Sequence, residues 1–185
     1  MLHRFARLLL TLILFAAAPA YADEAAAWAA LREGGHIILM RHATAPGVGD
    51  PSNFRPGDCS TQRLLSEAGR AEAKAIGAAL RQRGVKADRV LTSAWCRCVD
   101  TAELMDLGPV EIFEPLNSFF GRGGTAETQT EAVRKLIGDW KRPGTLVLVT
   151  HQVNVTALTD VFPASGEMVV LRPDGRSIGR ISPAS

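Results

Sequence analysis

The chain has 185 residues, a formal net charge of +2 and three cysteines. Hydrophobic residues make up 46% of it and charged residues 22%, which is ordinary for a folded domain and excludes intrinsic disorder. The length predicts a single domain, and the balanced charge argues against nucleic acid as a partner.

The first 22 residues have the three-part order of a secretory signal peptide. Two arginines precede an apolar run over residues 8–18, and Ala20-Tyr21-Ala22 forms an A-x-A cleavage site. A membrane anchor is the less favoured alternative, because a span needs roughly 20 apolar residues. Removing residues 1–22 takes away two arginines and no acid, which leaves 19 basic and 19 acidic residues. We therefore expect a cleaved signal peptide over 1–22 and a periplasmic or secreted domain, with no membrane span, over 23–185.

The hydrophobic pattern predicts strands that alternate with helices. Predicted helices, in which apolar positions recur every three or four residues, cover 23–32, 66–83, 95–105, 126–140 and 153–161. Predicted strands, which are short apolar runs, cover 37–40, 89–92, 110–113 and 146–149, with a closing hairpin of 168–171 and 177–181. This alternation predicts an α/β fold with a mostly parallel sheet covered on both faces. Residues 43–60, with three prolines and three glycines, predict a long loop, and such loops are usually functional.

Export places the three cysteines in an oxidising compartment, which favours a disulfide. Cys96 and Cys98 are too close for an easy mutual disulfide on a helix, so Cys59 is expected to pair with either of them. Free buried thiols, or metal or redox chemistry, are the alternatives, although no strong zinc spacing is present.

Three of the predicted strands end in residues that can carry chemistry. Arg41-His42 follows the first strand, the segment Ser93–Arg97 follows the second, and Thr150-His151 follows the strand at 146–149. Because ligands bind at the carboxyl ends of parallel strands, we expect two arginines and two histidines to converge there. Guanidinium groups bind phosphoryl oxygens as forks, and a neutral imidazole can attack phosphorus to form a covalent intermediate. The sequence therefore predicts phosphoryl chemistry that uses no metal and no cofactor.

These segments resemble the signatures of the histidine phosphatase superfamily, in its phosphoglycerate mutase-like branch. Residues 39–43 are similar to the R-H-G signature, and residues 93–103 to the second-arginine segment S-x-x-x-R-x-x-x-T-A-E. Residues 147–151 are similar to the C-terminal histidine strand, and residues 63–69 to the helix start R-x-L-[ST]-x-x-G. The resemblance spans about residues 35–171.

The resemblance implies a single three-layer α/β/α sandwich, phosphoglycerate mutase-like. It implies His42 as the phosphorylated nucleophile, with Arg41, Arg97 and His151 forming the phosphate pocket. The implied activity is that of a metal-independent phosphoric monoester hydrolase. Small periplasmic histidine phosphatases, including the lipopolysaccharide core heptose-phosphate phosphatases, are the most similar group, so the expected partner is a small-molecule or envelope-linked phosphorylated substrate.

The sequence also departs from that family pattern. Ala43 replaces the usual glycine, and the usual general acid is missing. Mutase-like members carry a glutamate where Ser118 stands, and the acid-phosphatase branch has an aspartate where Gln152 stands. Serine cannot protonate a leaving oxygen as a carboxylic acid can. Either the leaving group needs no acid, or another carboxyl replaces it; the candidates are Glu114, Glu127 and Glu131.

Two other functions stay open on the sequence alone. One is a phosphate-binding or phosphohistidine-directed member that kept the pocket without the acid, and the other is a thiol-redox protein built on Cys96-x-Cys98. Further residues are candidates for substrate contact, pocket lining or packing, namely Thr44, Gly47, Arg55, Arg63, Phe119-Phe120, Trp28, Trp95 and Trp140. The sequence does not specify the substrate or the oligomeric state.

Overall fold

The computed structural model describes residues 19–121 and 124–183, with side chains from Asp23 onward. Residues 1–18 of the expected signal peptide lie outside this described part. Within the two described ranges, no helix is long and apolar enough to cross a membrane.

Five helices and six strands alternate along the described chain. The helices are α1 (Pro19–Glu33), α2 (Glu67–Gln82), α3 (Cys96–Met105), α4 (Ala126–Gly138) and α5 (Gln152–Thr159). The strands are β1 (Ile37–Arg41), β2 (Ala87–Thr92), β3 (Val110–Ile112), β4 (Thr145–Thr150), β5 (Met168–Leu171) and β6 (Ser177–Ile181). Short 3-10 turns occupy Cys59–Thr61 and Glu114–Leu116.

The six strands form one mixed sheet in the order β3-β2-β4-β1-β5-β6. The strands β3, β2, β4 and β1 run parallel, whereas β5 pairs antiparallel with β1 and β6 pairs antiparallel with β5. The predicted mostly parallel sheet is therefore confirmed, and its antiparallel edge is the hairpin that the sequence predicts.

Side chains of the central strands alternate between two buried layers. Ile38 and Met40 of β1 pack in one layer with α1, α2 and α3, while Ile37 and Leu39 pack in the other with α4 and α5. Burial on both faces explains why β1 and β4 are continuous apolar runs. The result is the expected three-layer α/β/α sandwich.

The start of α1 differs from the prediction. The helix begins at Pro19, four residues before the predicted start at Asp23, and so runs through the expected cleavage site after Ala22. Alanine has the highest helix propensity, and the alanine-rich segment continues the helix to the N-terminal side of Asp23.

Candidate active site

The strands β1, β2 and β4 end at one edge of the sheet, and the expected site residues lie there. Arg41 is the last residue of β1 and His42 follows it, while His151 follows β4 and caps α5. Arg97 lies in the first turn of α3, just after β2. All four line one cavity of about 660 Å³. The structure therefore brings together the four residues that the sequence predicts.

His42 is buried and neutral. Its Nδ1 lies 2.7 Å from the carbonyl oxygen of Ala43, which can only accept, so Nδ1 carries the proton. Its Nε2 therefore keeps a lone pair, and it accepts a hydrogen bond from Arg97 Nε at 3.2 Å. Burial, together with the charges of the nearby arginines, lowers the pKa of His42 from 6.5 to about 3, against a raising effect of the Ala43 carbonyl. A neutral imidazole with an unprotonated Nε2 can act as a nucleophile.

His151 is oriented by hydrogen bonds with Arg97 and Ser93. Its Nδ1 lies 3.4 Å from Arg97 Nη2, which can only donate, so Nε2 carries the proton and donates to Ser93 Oγ at 2.8 Å. Ser93 Oγ in turn donates to Asn117 Oδ1 at 3.2 Å. Burial is the main cause that lowers the pKa of His151 well below 6.5, and the positive charge of Arg97 lowers it further. Both cavity histidines are therefore neutral at pH 7.

Arg41 has a buried donor that no described group satisfies. Its Nη1 donates to the carbonyl oxygen of Pro163 at 3.1 Å, but its Nε is buried with no hydrogen-bond partner among the described residues. Burial and the charge of Arg97 lower the pKa of Arg41, while the charge of Glu72 raises it. An unpaired buried guanidinium donor beside a second guanidinium is suited to an anion.

Arg63, one of the further candidates from the sequence, also lines the cavity. Its Nε donates to the carbonyl oxygen of Gly49 at 2.8 Å, and its Nη1 donates to that of Ala45. Within the described chain, Arg63 therefore binds carbonyl groups of the loop that follows β1. This contact fixes the loop and adds a third positive charge to the cavity.

Asp50 is a cavity residue that the sequence analysis missed. Its carboxylate accepts hydrogen bonds from Arg97 Nη1 at 2.7 Å and Nη2 at 3.3 Å, from Trp95 Nε1 at 3.0 Å, and from the Arg63 backbone N–H at 3.1 Å. Burial would raise the pKa of Asp50, but these hydrogen bonds and the charge of Arg97 lower it below its ordinary value. No spacing rule singles out one aspartate in a loop rich in glycine and proline. The only signal is that this loop has just two acids, Asp50 and Asp58.

A disulfide joins Cys59, at the end of that loop, to Cys96 at the start of α3. This is one of the two pairings that the sequence predicts. Cys98 remains a free buried thiol, and burial raises its pKa to about 12. The pair required by the thiol-redox alternative is therefore not formed. Because Arg97 follows Cys96 directly, the disulfide ties the helix that carries this guanidinium to the loop that carries Asp50.

The three glutamates considered as replacement acids lie elsewhere. They are exposed, and none of them lines the cavity: Glu114, Glu127 and Glu131. Ser118 and Gln152, which stand where related proteins carry an acid, do line it. Among the described side chains, Asp50 is the only carboxylic acid in the cavity.

The other candidates for substrate contact divide into two groups. Gly47 lines the cavity, but Thr44 and Arg55 do not. The Thr44 N–H donates to Glu72 Oε2 at 2.7 Å, and Arg55 forms an exposed ion pair with Asp58 at 2.9 Å.

Aromatic and apolar side chains form part of the cavity wall. Trp95 is buried and contributes its indole N–H to Asp50, a role beyond the packing that the sequence predicts. On the solvent side, three apolar side chains are exposed: Val48 by 89%, Phe120 by 55% and Phe162 by 71%. Of the other tryptophans, Trp140 is buried, and Trp28 is half-buried beneath the guanidinium of Arg83.

Comparison with known proteins identifies the class. The sequence matches the histidine phosphatase superfamily (branch 1) over residues 37–145, more than half of the chain. The chain therefore belongs to this superfamily and is a hydrolase of the phosphatase class. No curated protein matches the sequence.

Solved structures share the fold. The protein histidine phosphatase SixA, complexed with tungstate, has a TM-score of 0.57 and 19% identity, covering 80% of this chain and 97% of that chain. YhfR from Bacillus stearothermophilus has a TM-score of 0.55 and 17% identity, covering 73% and 89%. A mycobacterial glucosyl-3-phosphoglycerate phosphatase, complexed with VO3, has a TM-score of 0.51 and 16% identity, covering 74% and 94%. These likenesses confirm the predicted fold.

Proposed function

We propose that this protein is an exported phosphatase that hydrolyses a phosphomonoester through a covalent phosphohistidine on His42. The observation that carries the proposal is the tautomer of His42. Its proton is on Nδ1 and bound to the Ala43 carbonyl, and its Nε2 lone pair lies in a cavity lined by three arginines. Such a nucleophile needs no proton removed before it attacks phosphorus.

The surrounding charges suit the phosphoryl group. When Nε2 attacks phosphorus, the imidazole becomes positively charged, and the Ala43 carbonyl stabilises the proton on Nδ1. The contact of Arg97 with Nε2 and the unpaired Nε of Arg41 support the proposal that both guanidinium groups bind phosphoryl oxygens. Phosphoryl transfer depends mainly on such alignment and charge stabilisation, and water then hydrolyses the phosphohistidine. Two structures of the same fold are complexes with tungstate and with VO3, which supports the proposal that this protein binds an oxyanion.

Two features of the physiological substrate are proposed, a sugar phosphate and an apolar portion. The resemblance to small periplasmic histidine phosphatases proposes a sugar phosphate of the cell envelope. The exposed apolar side chains of Val48, Phe120 and Phe162 at the cavity rim favour a substrate that also carries an apolar portion. The KM values of a panel of sugar, aryl and alkyl phosphates of similar size show which of these two features the protein recognises.

The proposal is tested with 4-nitrophenyl phosphate, whose leaving group needs no proton. We expect turnover by the wild-type protein without added metal, and a loss of about 10³-fold or more in His42→Ala. His36→Ala is the control, because His36 does not line the cavity and is expected to leave turnover unchanged. Turnover that survives in His42→Ala would contradict the proposed nucleophile.

The missing family acid favours a second candidate, a pocket that binds phosphate without turnover. In that case the wild-type protein would bind vanadate and hydrolyse none of the esters in the panel.

A further inference from the structure

Hydrolysis of an unactivated phosphomonoester requires a proton for the leaving oxygen, and the positions that usually supply it hold Ser118 and Gln152. Neither a hydroxyl nor an amide can act as a carboxylic acid does. Asp50 is the one carboxyl that lines the cavity in the described chain, and it comes from a different part of the fold, the loop after β1.

Asp50 and the nucleophile contact neighbouring atoms of one guanidinium. Arg97 donates its Nε to His42 Nε2 at 3.2 Å, and it donates Nη1 and Nη2 to the Asp50 carboxylate at 2.7 and 3.3 Å. A phosphoryl group that is bound at His42 Nε2 and held by Arg97 must therefore lie next to the Asp50 carboxylate. A carboxyl in that position is close to the phosphoester oxygens, as a general acid must be.

We propose that Asp50 is the general acid of this site, which delivers the proton to the leaving oxygen when His42 attacks phosphorus. The inference rests on the proposed function and assigns its missing catalytic residue.

The proton enters with the substrate as the phosphoester monoanion. Asp50 is ionised in the resting site. It takes this proton when the phosphoryl oxygens replace its carboxylate as the acceptors of the Arg97 hydrogen bonds. The His42 Nε2–P bond then forms, the P–O bond to the leaving group breaks, and Asp50 gives its proton to the leaving oxygen, which departs as an alcohol or phenol. Water next attacks the phosphohistidine and gives one proton to Asp50. His42 returns to its neutral form, and phosphate leaves as the monoanion with that proton, so atoms and charge balance.

The contacts of Asp50 are compatible with this cycle. In the resting site all four of its hydrogen bonds come from N–H donors, which hold it as a carboxylate. A bound phosphoryl group competes for two of these donors, those on Arg97, and places negative charge beside the carboxylate. Both changes favour the protonated form that an acid must have.

The test compares 4-nitrophenyl phosphate with phenyl phosphate in Asp50→Asn. The two esters differ only in the para-nitro group, but phenol, like tyrosine, has a pKa of about 10 and leaves poorly without a proton. We expect kcat/KM for phenyl phosphate to fall about 100-fold or more beyond any fall for 4-nitrophenyl phosphate. Equal losses on both esters would mean that Asp50 only positions Arg97. Gains on both, or no change, would mean that it only competes with phosphate. Each of these results would overturn the proposal.

Asp58→Asn is the matched control, because Asp58 lies in the same loop, is exposed and pairs with Arg55 outside the cavity. It is expected to leave both kcat/KM values unchanged.

If Asp50→Asn does not fold, the test uses a series of substituted phenyl phosphates with the wild-type protein instead. A shallow dependence of log kcat/KM on the pKa of the leaving group supports a proton donor, and a steep dependence overturns it. Failure of the proposed function appears separately, as turnover that survives in His42→Ala.

Discussion

The protonation state of His42 couples the proposed chemistry to the stability of the fold. Its burial keeps the imidazole neutral, and His151 shows the same direction of shift. Because the pKa of both groups is lower in the folded protein than in the unfolded chain, the unfolded chain binds more protons below pH 6.5. The free energy of unfolding must therefore decrease as the pH falls from 6.5 towards the pKa of about 3 of His42.

This linkage predicts how the free energy of unfolding of His42→Asn depends on pH. Each buried histidine contributes at most about 1.4 kcal/mol per pH unit, so removing one should flatten the dependence of stability on pH below 6.5. Denaturant unfolding of the wild type and the variant at several pH values measures the slope. An identical slope in His42→Asn and the wild type would contradict the assigned protonation state.

Asp50 is a residue of the cavity that the sequence did not predict. Arg41, His42, Arg97 and His151 were predictable because each follows a strand that the apolar pattern reveals. Asp50 lies in an irregular loop, and its approach to Arg97 depends on contacts that no periodicity records. A residue of this kind becomes visible only when the tertiary structure positions the loop.

At the scale of elements, α2 lies directly on the loop that follows the nucleophile. A Cβ added to Gly69, in the first turn of α2, would be 2.0 Å from the carbonyl oxygen of Thr44, which lies two residues after His42. Gly69→Ala is therefore expected to destabilise the protein by about 1–3 kcal/mol and to lower its phosphatase activity, because the loop must shift. Gly138→Ala in α4 is the control, since its added Cβ meets nothing closer than 4.0 Å. Thermal unfolding and turnover of 4-nitrophenyl phosphate are the measurements, and equal effects of the two variants would contradict this packing.

The disulfide Cys59–Cys96 connects two elements that both contribute to the cavity. Its loss in Cys59→Ser is expected to lower the free energy of unfolding by about 2–4 kcal/mol. It should also reduce activity, because Arg97 and the Asp50 loop lose a shared constraint. Thiol titration of the denatured wild-type protein should find one free thiol before reduction and three after it. Three thiols before reduction would contradict the pairing.

The elements themselves were largely predictable. The apolar runs of β1 and β4 and the glycine-bounded α2 were assigned nearly at their observed bounds, because burial on both faces and capping leave local signals. The start of α1 was not, since an alanine-rich segment carries no sharp boundary. The choice between Cys96 and Cys98 as the partner of Cys59 was also open, because it depends on which side chain of α3 faces the loop.

At the scale of the whole molecule, the proposed export and cleavage would determine which residues the active protein contains. Cleavage after Ala22 would leave a protein that begins at Asp23 and keeps the buried α1 residues Ala27 and Leu31. We expect the protein recovered from the periplasm of a bacterial host to have the mass of residues 23–185 with one disulfide. A mass that includes residues 1–22 would contradict the cleaved signal peptide.

The measurement that tests the central claim most directly is detection of the covalent intermediate. The protein is mixed with 4-nitrophenyl phosphate, quenched in alkaline denaturant, which preserves phosphohistidine, and examined by intact-mass and peptide mass spectrometry. A phosphoryl group on the peptide that contains His42, labile to acid and absent in His42→Ala, is the predicted result. Turnover without any phosphoryl group on His42, or with one on another residue, would contradict the account.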